Sequence, residues 1–220
     1  MICFLGSSHA AEHLREAAHA KGVPLTNDPE AADVIFISED TPTSDKGDRN
    51  LFPIHFLIEK AKTTGAILVL TSQVPPGFTR SLGISNIFHQ AETLRIKDAT
   101  YRALNPDYIV IGCPAYISYD LLPSAYRMYL DVFNCPKFPV TYEDAEFSKI
   151  AVNMTLAAQV ESANKLSVAA HKCGASWWHV AEVLRMDKRI GKESYLTPGR
   201  WQDSKHLLRD YVTLEALSTR

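Results

Sequence analysis

The 220-residue sequence predicts an α/β protein, a parallel sheet with helices on both faces followed by a helical segment around one long helix. Three patterns carry that expectation. Short, β-branched-rich apolar runs occur at Ile2 to Leu5, Val34 to Ile37 and Ile67 to Leu70, as expected of strands buried on both faces. Helical patterns closed by glycine separate them. From Glu143 to His171 no Pro or Gly intervenes, and Phe147, Ala151, Met154 and Ala158 recur at helical steps.

Taken in order, Ile2 to Leu5 is the first strand, and His9 to Lys21 is a helix closed by Gly22. Val23 to Thr26 has the makings of a small extra strand. Val34 to Ile37 leads into a polar loop, Asp40 to Asn50, and then into a helix from Pro53 to Lys62 with Gly65 beyond it. Ile67 to Leu70 and Tyr108 to Gly112 complete the strands that the pattern shows. After the long helix, Gly174 ends the run, Trp177 to Arg185 forms a second helix, and Gln202 to Leu217 a terminal one beyond the breaker pair Pro198-Gly199. The domain boundary is expected near Tyr142, giving residues 1–142 and 143–220.

Composition narrows the function. Apolar residues make up 46% of the chain, charged residues 22%, and 23 basic residues are interspersed with 25 acidic ones, for a net charge of −2. A protein living on phosphate contacts would carry a basic excess on one face, so nucleic acid is not an expected partner. No apolar run approaches the roughly 18 residues that span a bilayer. Cys3, Cys113, Cys135 and Cys173 lie far apart with no Cys-x-x-Cys, which fits a reducing cytoplasm better than a disulfide framework.

Gly6-Ser-Ser-His-Ala-Ala11 follows the first strand and opens the first helix, where a dinucleotide fingerprint holds its pyrophosphate. Gly6 and Ala11 suit that pattern, while Ser8 replaces the middle glycine and offers a hydroxyl. Asp28 is the candidate for the ribose, and a plain strand-to-helix turn is the alternative. The same helix spells His9-Ala-Ala-Glu12-His13, two imidazoles at i and i+4 with a glutamate between them, the inverted zinc-peptidase spacing. In the context of a helix packed after a parallel strand, no metal is expected. On the long helix Lys149 and Asn153 share a face, with Glu146 a turn earlier. That trio suits either a solvated polar face or stabilisation of negative charge on a reacting oxygen.

Read in order, further segments resemble the UDP-glucose/GDP-mannose dehydrogenase family. Ala32-Asp-Val-Ile-Phe-Ile37 followed by Thr41-Pro42 looks like its strand and Thr-Pro loop beside the cofactor, and Ser72-Gln-Val-Pro-Pro-Gly77 like its Ser-Thr-Val-Pro-x-Gly turn. Glu92-Thr-Leu-Arg95 and Asn105-Pro-Asp-Tyr-Ile-Val-Ile-Gly112 are similar to its Glu-Phe-Leu-Arg and Pro-Asp-Arg-Ile-Val-Ile-Gly segments. Ala145-Glu-Phe-Ser-Lys-Ile-Ala-Val-Asn153, Asp187-Lys-Arg-Ile-Gly191 and Leu196-Thr-Pro-Gly199 with Asp203 continue the likeness.

The resemblance implies a reduced Rossmann-like domain and a dimer built on the 143–171 helix. It also implies NAD-dependent oxidation of the CH–OH group of a nucleotide sugar. By position, Lys149 would stabilise an oxyanion, Asn153 and Asp203 would place substrate and water, and Glu92 would lie near the reacting carbon. Gly6, Ser8, Ala11, Asp28, Thr41, Pro42 and Ser72 would face NAD; Arg189, Gln73 and Tyr195 would face the substrate. The chain departs from the family where Gly199-Arg-Trp-Gln-Asp203 replaces its cysteine-bearing loop, and where Gln73 and Ile96 replace a threonine and a glutamate. It is therefore expected to be a short, divergent member without the family's C-terminal nucleotide-sugar domain. Such a member performs one oxidation step, or is an inactive homologue with a nucleotide-binding, regulatory or scaffold role.

Overall fold

The computed structural model describes residues 1–219; the side chain of Ile96, noted above as a departure, lies outside what is described. In chain order the strands are β1 (Ile2–Leu5), β2 (Val34–Ile37), β3 (Ile67–Leu70), β4 (Ile87–Gln90), β5 (Ile109–Cys113) and β6 (Lys137–Thr141). The helices are α1 (His9–Ala20), α2 (Phe52–Ala61), α3 (Phe78–Ser81), α4 (Ala99–Leu104), α5 (Ser124–Leu130), α6 (Tyr142–Lys172), α7 (Trp177–Met186) and α8 (Lys205–Ser218). The three expected strands appear with the expected bounds, and the fourth begins one residue later, at Ile109. Terminal helix α8 starts at Lys205, because Trp201–Asp203 forms a separate 3-10 turn.

The chain divides into two compact units, one of residues 1–42 and 49–149, the other of residues 43–48 and 150–220. In the first unit all six strands form one sheet in the order β1-β2-β3-β4-β5-β6, parallel throughout except between β4 and β5. One layer of core, with Phe4, Phe36, Phe88 and Tyr126, covers one face; another, with Ile35, Ile37, Ile54 and Leu70, covers the other. Alternate residues of β1, β2 and β3 thus enter opposite cores, which is why these strands read as unbroken apolar runs.

The segment after α1 makes a single parallel bridge, Leu25 to Ile2, on the edge of β1 away from β2. The chain therefore leaves β1 to one side, touches the sheet once, and crosses to β2 on the other side. That reversal is the topological switch point of a doubly wound sheet, and the carboxyl ends of β1 and β2 flank it.

Sequence pattern missed β4 and β6. β4 (Ile-Phe-His-Gln) is fully buried yet half polar, so no apolar run marks it. β6 carries Pro139, which the last strand of a sheet tolerates because only one of its edges is paired.

In the second unit Ala163, Ala170, Trp177, Ala181 and Leu196 make a small core. Three polar side chains of α6 secure the segment that follows α7. Gln159 accepts from the Tyr195 N–H at 2.8 Å, Glu161 from the Trp201 indole at 2.9 Å, and Asn164 pairs both ways with the Gly199 backbone at 2.8 Å. Loop residue Gly47 (φ +90°) lies against α8, where a Cβ would stand 2.6 Å from Val212 Cγ2, so only glycine fits.

Candidate functional site

At the β1–α1 turn the backbone bends sharply at Gly6 (φ +110°), and a Cβ there would lie 2.0 Å from the Ser38 carbonyl oxygen. The glycine is a packing requirement that lets β1's exit touch β2's exit. Ser8 is buried and caps α1: its Oγ accepts the Ala11 N–H at 3.1 Å and donates to Ser38 O at 2.9 Å. Ala11 is buried beneath the same turn. The Ser8 hydroxyl thus faces inward, toward protein rather than toward a ligand.

The outward-facing donors of Ser7 meet a carboxylate. The Ser7 N–H donates to Glu39 Oε2 at 3.0 Å, and the Ser7 hydroxyl lies 3.3 Å from the same oxygen. Glu39 is itself held. Its N–H donates to Ser72 Oγ at 2.8 Å, and the Asp40 N–H returns to Oε1 at 3.0 Å. A dinucleotide pyrophosphate at such a turn needs free N–H donors and no neighbouring negative charge. As arranged here, the residues do not fit that group.

The other expected cofactor contacts are placed as follows. Asp28 is exposed and caps the 3-10 turn Pro29–Ala31, accepting the Glu30 N–H at 3.1 Å. Thr41 is buried, Pro42 is exposed with its carbonyl accepting the Asn50 N–H at 2.8 Å, and buried Ser72 supports Glu39.

Beyond β4, Glu92 and Lys149 come together, Nζ to Oε2 3.7 Å, with side chains only 20% and 17% exposed. Glu92 also accepts the Leu94 N–H. A pocket with room for about 30 Å³, enough for a water or two, opens beside Glu92 and is lined by Gln90, Leu94, Arg102, Tyr108 and Phe133 among others. Gln73 is half-buried at the end of the β3 turn.

Glu146, one turn before Lys149, is 1% exposed and points the other way, accepting the N–H groups of Gly77 (2.6 Å) and Thr79 (2.8 Å) at the start of α3. Burial raises its carboxyl pKa in spite of those donors. His89 is buried in β4 across from Gly112, its Nδ1 without a hydrogen-bond partner among the described residues, and burial lowers its pKa to about 4.

In the second unit, Asn153 Nδ2 donates to the fully buried Asp210 at 2.7 Å. Asp203 is 70% exposed and pairs with Arg200 at 3.6 Å. Arg189, 88% exposed, folds back on Asp187 at 2.6 Å, and Tyr195 is exposed. The structure therefore joins Glu92 with Lys149, and gives Asn153, Asp203 and Arg189 partners of their own.

His9 and His13 bring their Nε2 atoms to 3.0 Å, while His13 Nδ1 lies 3.1 Å from Thr100. Among the described residues no group of three His, Cys, Asp or Glu is arranged to hold a metal ion.

Sequence reasoning passed over Glu39 and Asp210. The signal for Glu39 was available: two adjacent acids, Glu39-Asp40, immediately follow the carboxyl end of a strand beside the expected phosphate turn.

Residues 143–218 match the family model of the UDP-glucose/GDP-mannose dehydrogenase family, central domain. Sequence and fold relate this chain to that family. The UDP-glucose 6-dehydrogenases of Rickettsia felis and Rickettsia conorii are 28% and 29% identical over 94% of the chain. The chain spans about half the length of these curated relatives, 49% and 50%.

Among solved structures, the UDP-glucose dehydrogenase of Pyrobaculum islandicum superposes with a TM-score of 0.76 at 22% identity, covering 99% of this chain and 64% of that one. A complex of Psf3 with NADP+ and 2-OPP matches at 0.63 and 14%, over 98% of this chain and 86% of that one. These likenesses establish the Rossmann-type fold shared with nucleotide-sugar dehydrogenases. Among the described residues no helix is long and apolar enough to cross a membrane.

Proposed function

We propose that this chain is a catalytically inactive nucleotide-sugar dehydrogenase homologue that serves as a regulatory or scaffold protein. In this reading residues 1–142 keep the Rossmann-like part, residues 143–220 form the dimerisation segment, and a cytoplasmic homodimer assembles through the 143–171 helix. One observation carries it: no thiol stands where the family's cysteine-bearing loop would place one. The segment Gly199–Asp203 has no cysteine. Burial raises the thiols of Cys3 and Cys135 and lifts Cys113 to about 11, while a nucleophilic cysteine needs a lowered pKa.

A second reading is favoured by the Lys149–Glu92 pair. A half-buried cation and carboxylate suit a single alcohol–aldehyde step on a nucleotide sugar, which needs a hydride acceptor such as NAD but no thiol. Incubation of the protein with NAD and UDP-glucose or GDP-mannose, followed by NADH absorbance, separates the two. The regulatory reading expects no NADH above the blank. NADH formation that disappears in a folded Lys149→Ala variant would establish the second reading instead. Light scattering on the same sample is expected to give the dimer mass, and a monomer would remove the assembly part of the proposal.

A further inference from the structure

We infer that the Glu39 carboxylate is a built-in anion occupying the phosphate position of the β1–α1 turn, so that the chain excludes dinucleotide pyrophosphates there. The turn keeps the features that make such a position attractive to negative charge. It lies at the switch point of the sheet, it begins a helix of 12 residues, and Gly6 brings it against the exit of β2. The donors of Ser7 are already used on an anion that the chain supplies, and that anion lies across the mouth of the turn. The Ser7 N–H and hydroxyl both face Glu39, and the remaining hydroxyl, on Ser8, is buried against Ser38.

Glu39 does not rest there by chance of a long side chain. Ser72 Oγ fixes its backbone at 2.8 Å, and the Asp40 N–H fixes its second carboxylate oxygen at 3.0 Å. The surrounding charges add to the exclusion. Asp40 follows directly, and Glu12 sits in the first turn of α1. Arg15 is turned to the Phe4 carbonyl at 3.2 Å, and His9 is engaged with His13. A pyrophosphate entering here would have to displace the carboxylate and then remain close to it, an unfavourable meeting of like charges.

This inference concerns binding alone and stands apart from the proposed loss of turnover. Its test is calorimetric titration of the wild type, Glu39→Gln and Glu39→Ala with NAD and, separately, with ADP, each protein checked by circular dichroism and melting. The wild type is expected to give no saturable heat at millimolar ligand. Glu39→Ala, which frees the Ser7 donors and removes the charge, is expected to bind both ligands saturably, at least about tenfold more tightly. Glu39→Gln, which removes the charge but keeps a side chain over the turn, is expected to fall between them.

Saturable binding of NAD by the wild type would overturn the inference, and so would native-like variants that bind no better than the wild type. Binding by the wild type without NADH formation would leave the proposed function intact. NADH formation by Glu39→Ala alone would support this inference and leave the wild type's lack of turnover in place.

Discussion

Acidification reads out the buried imidazole of His89 directly. The side chain is buried in β4, its Nδ1 without a partner among the described residues, and burial alone holds its pKa near 4 against an ordinary 6.5. Between those values the unfolded chain takes up a proton that the folded chain refuses. Stability therefore rises with pH through this window and falls as pH drops from about 6.5 toward 4. The difference of about 2.5 units converts to a loss of about 2 kcal/mol by pH 5 and about 3 kcal/mol by pH 4.

The assay is urea unfolding of the wild type and His89→Asn at pH 7, 5 and 4, followed by circular dichroism. Because every other titrating group is common to both proteins, the change in their stability difference with pH isolates His89. The variant starts less stable at pH 7 and closes the gap on acidification. A stability difference that stays constant from pH 7 to pH 4 would refute the reasoning, since it would mean that the imidazole charges freely inside the fold.

Other substitutions test the remaining contacts. Glu146→Ala leaves the N–H groups of Gly77 and Thr79 without their acceptor and is expected to cost about 2 to 4 kcal/mol in urea unfolding. Gly6→Ala forces a Cβ onto the Ser38 carbonyl at a positive φ and is expected to lower the melting temperature by well over 5 °C, the effect of about 2 kcal/mol or more in a domain of this size. Asn153→Ala removes a hydrogen bond to the buried Asp210 and should cost about 1.5 to 3 kcal/mol, with Asp210→Asn giving a less than additive double variant. Arg189→Ala, whose exposed guanidinium pairs with Asp187, should leave the urea midpoint unchanged.

The elements that were legible in the sequence are those whose residues obey one constraint at a time. β1, β2 and β3 are buried on both faces, so every position is apolar and their bounds show directly. α6 lacks Pro and Gly over its whole length, and α1 has its glycine stop. β4 was hidden because His89 and Gln90 carry polar atoms into the interior. Gln90 accepts from the Tyr126 hydroxyl at 2.9 Å, a partner 36 positions away that no local pattern reveals.

The same limit applies to the site. Lys149 and Glu92 were singled out separately, and their pairing depends on how β4 and α6 meet. Local spacing placed Glu146 beside Lys149 on one helix face, whereas its acceptor role is decided by the α3 backbone 67 residues earlier. Asp28 suited a ribose by its distance along the chain, but the nearest donor to its carboxylate is an N–H two residues on, and the local turn takes it.

The loop of residues 43–48 belongs with α8 although more than 150 positions of chain lie between them. Gly47 rests on Val212, and Asp45 pairs with Lys205 at 3.1 Å. During synthesis the loop emerges early and waits for its partner until α8 has been made, so the second unit closes late while the first can already assemble its sheet. A ribosome-bound chain arrested before residue 205 should therefore protect the sheet from proteolysis and leave the 43–48 loop open to it.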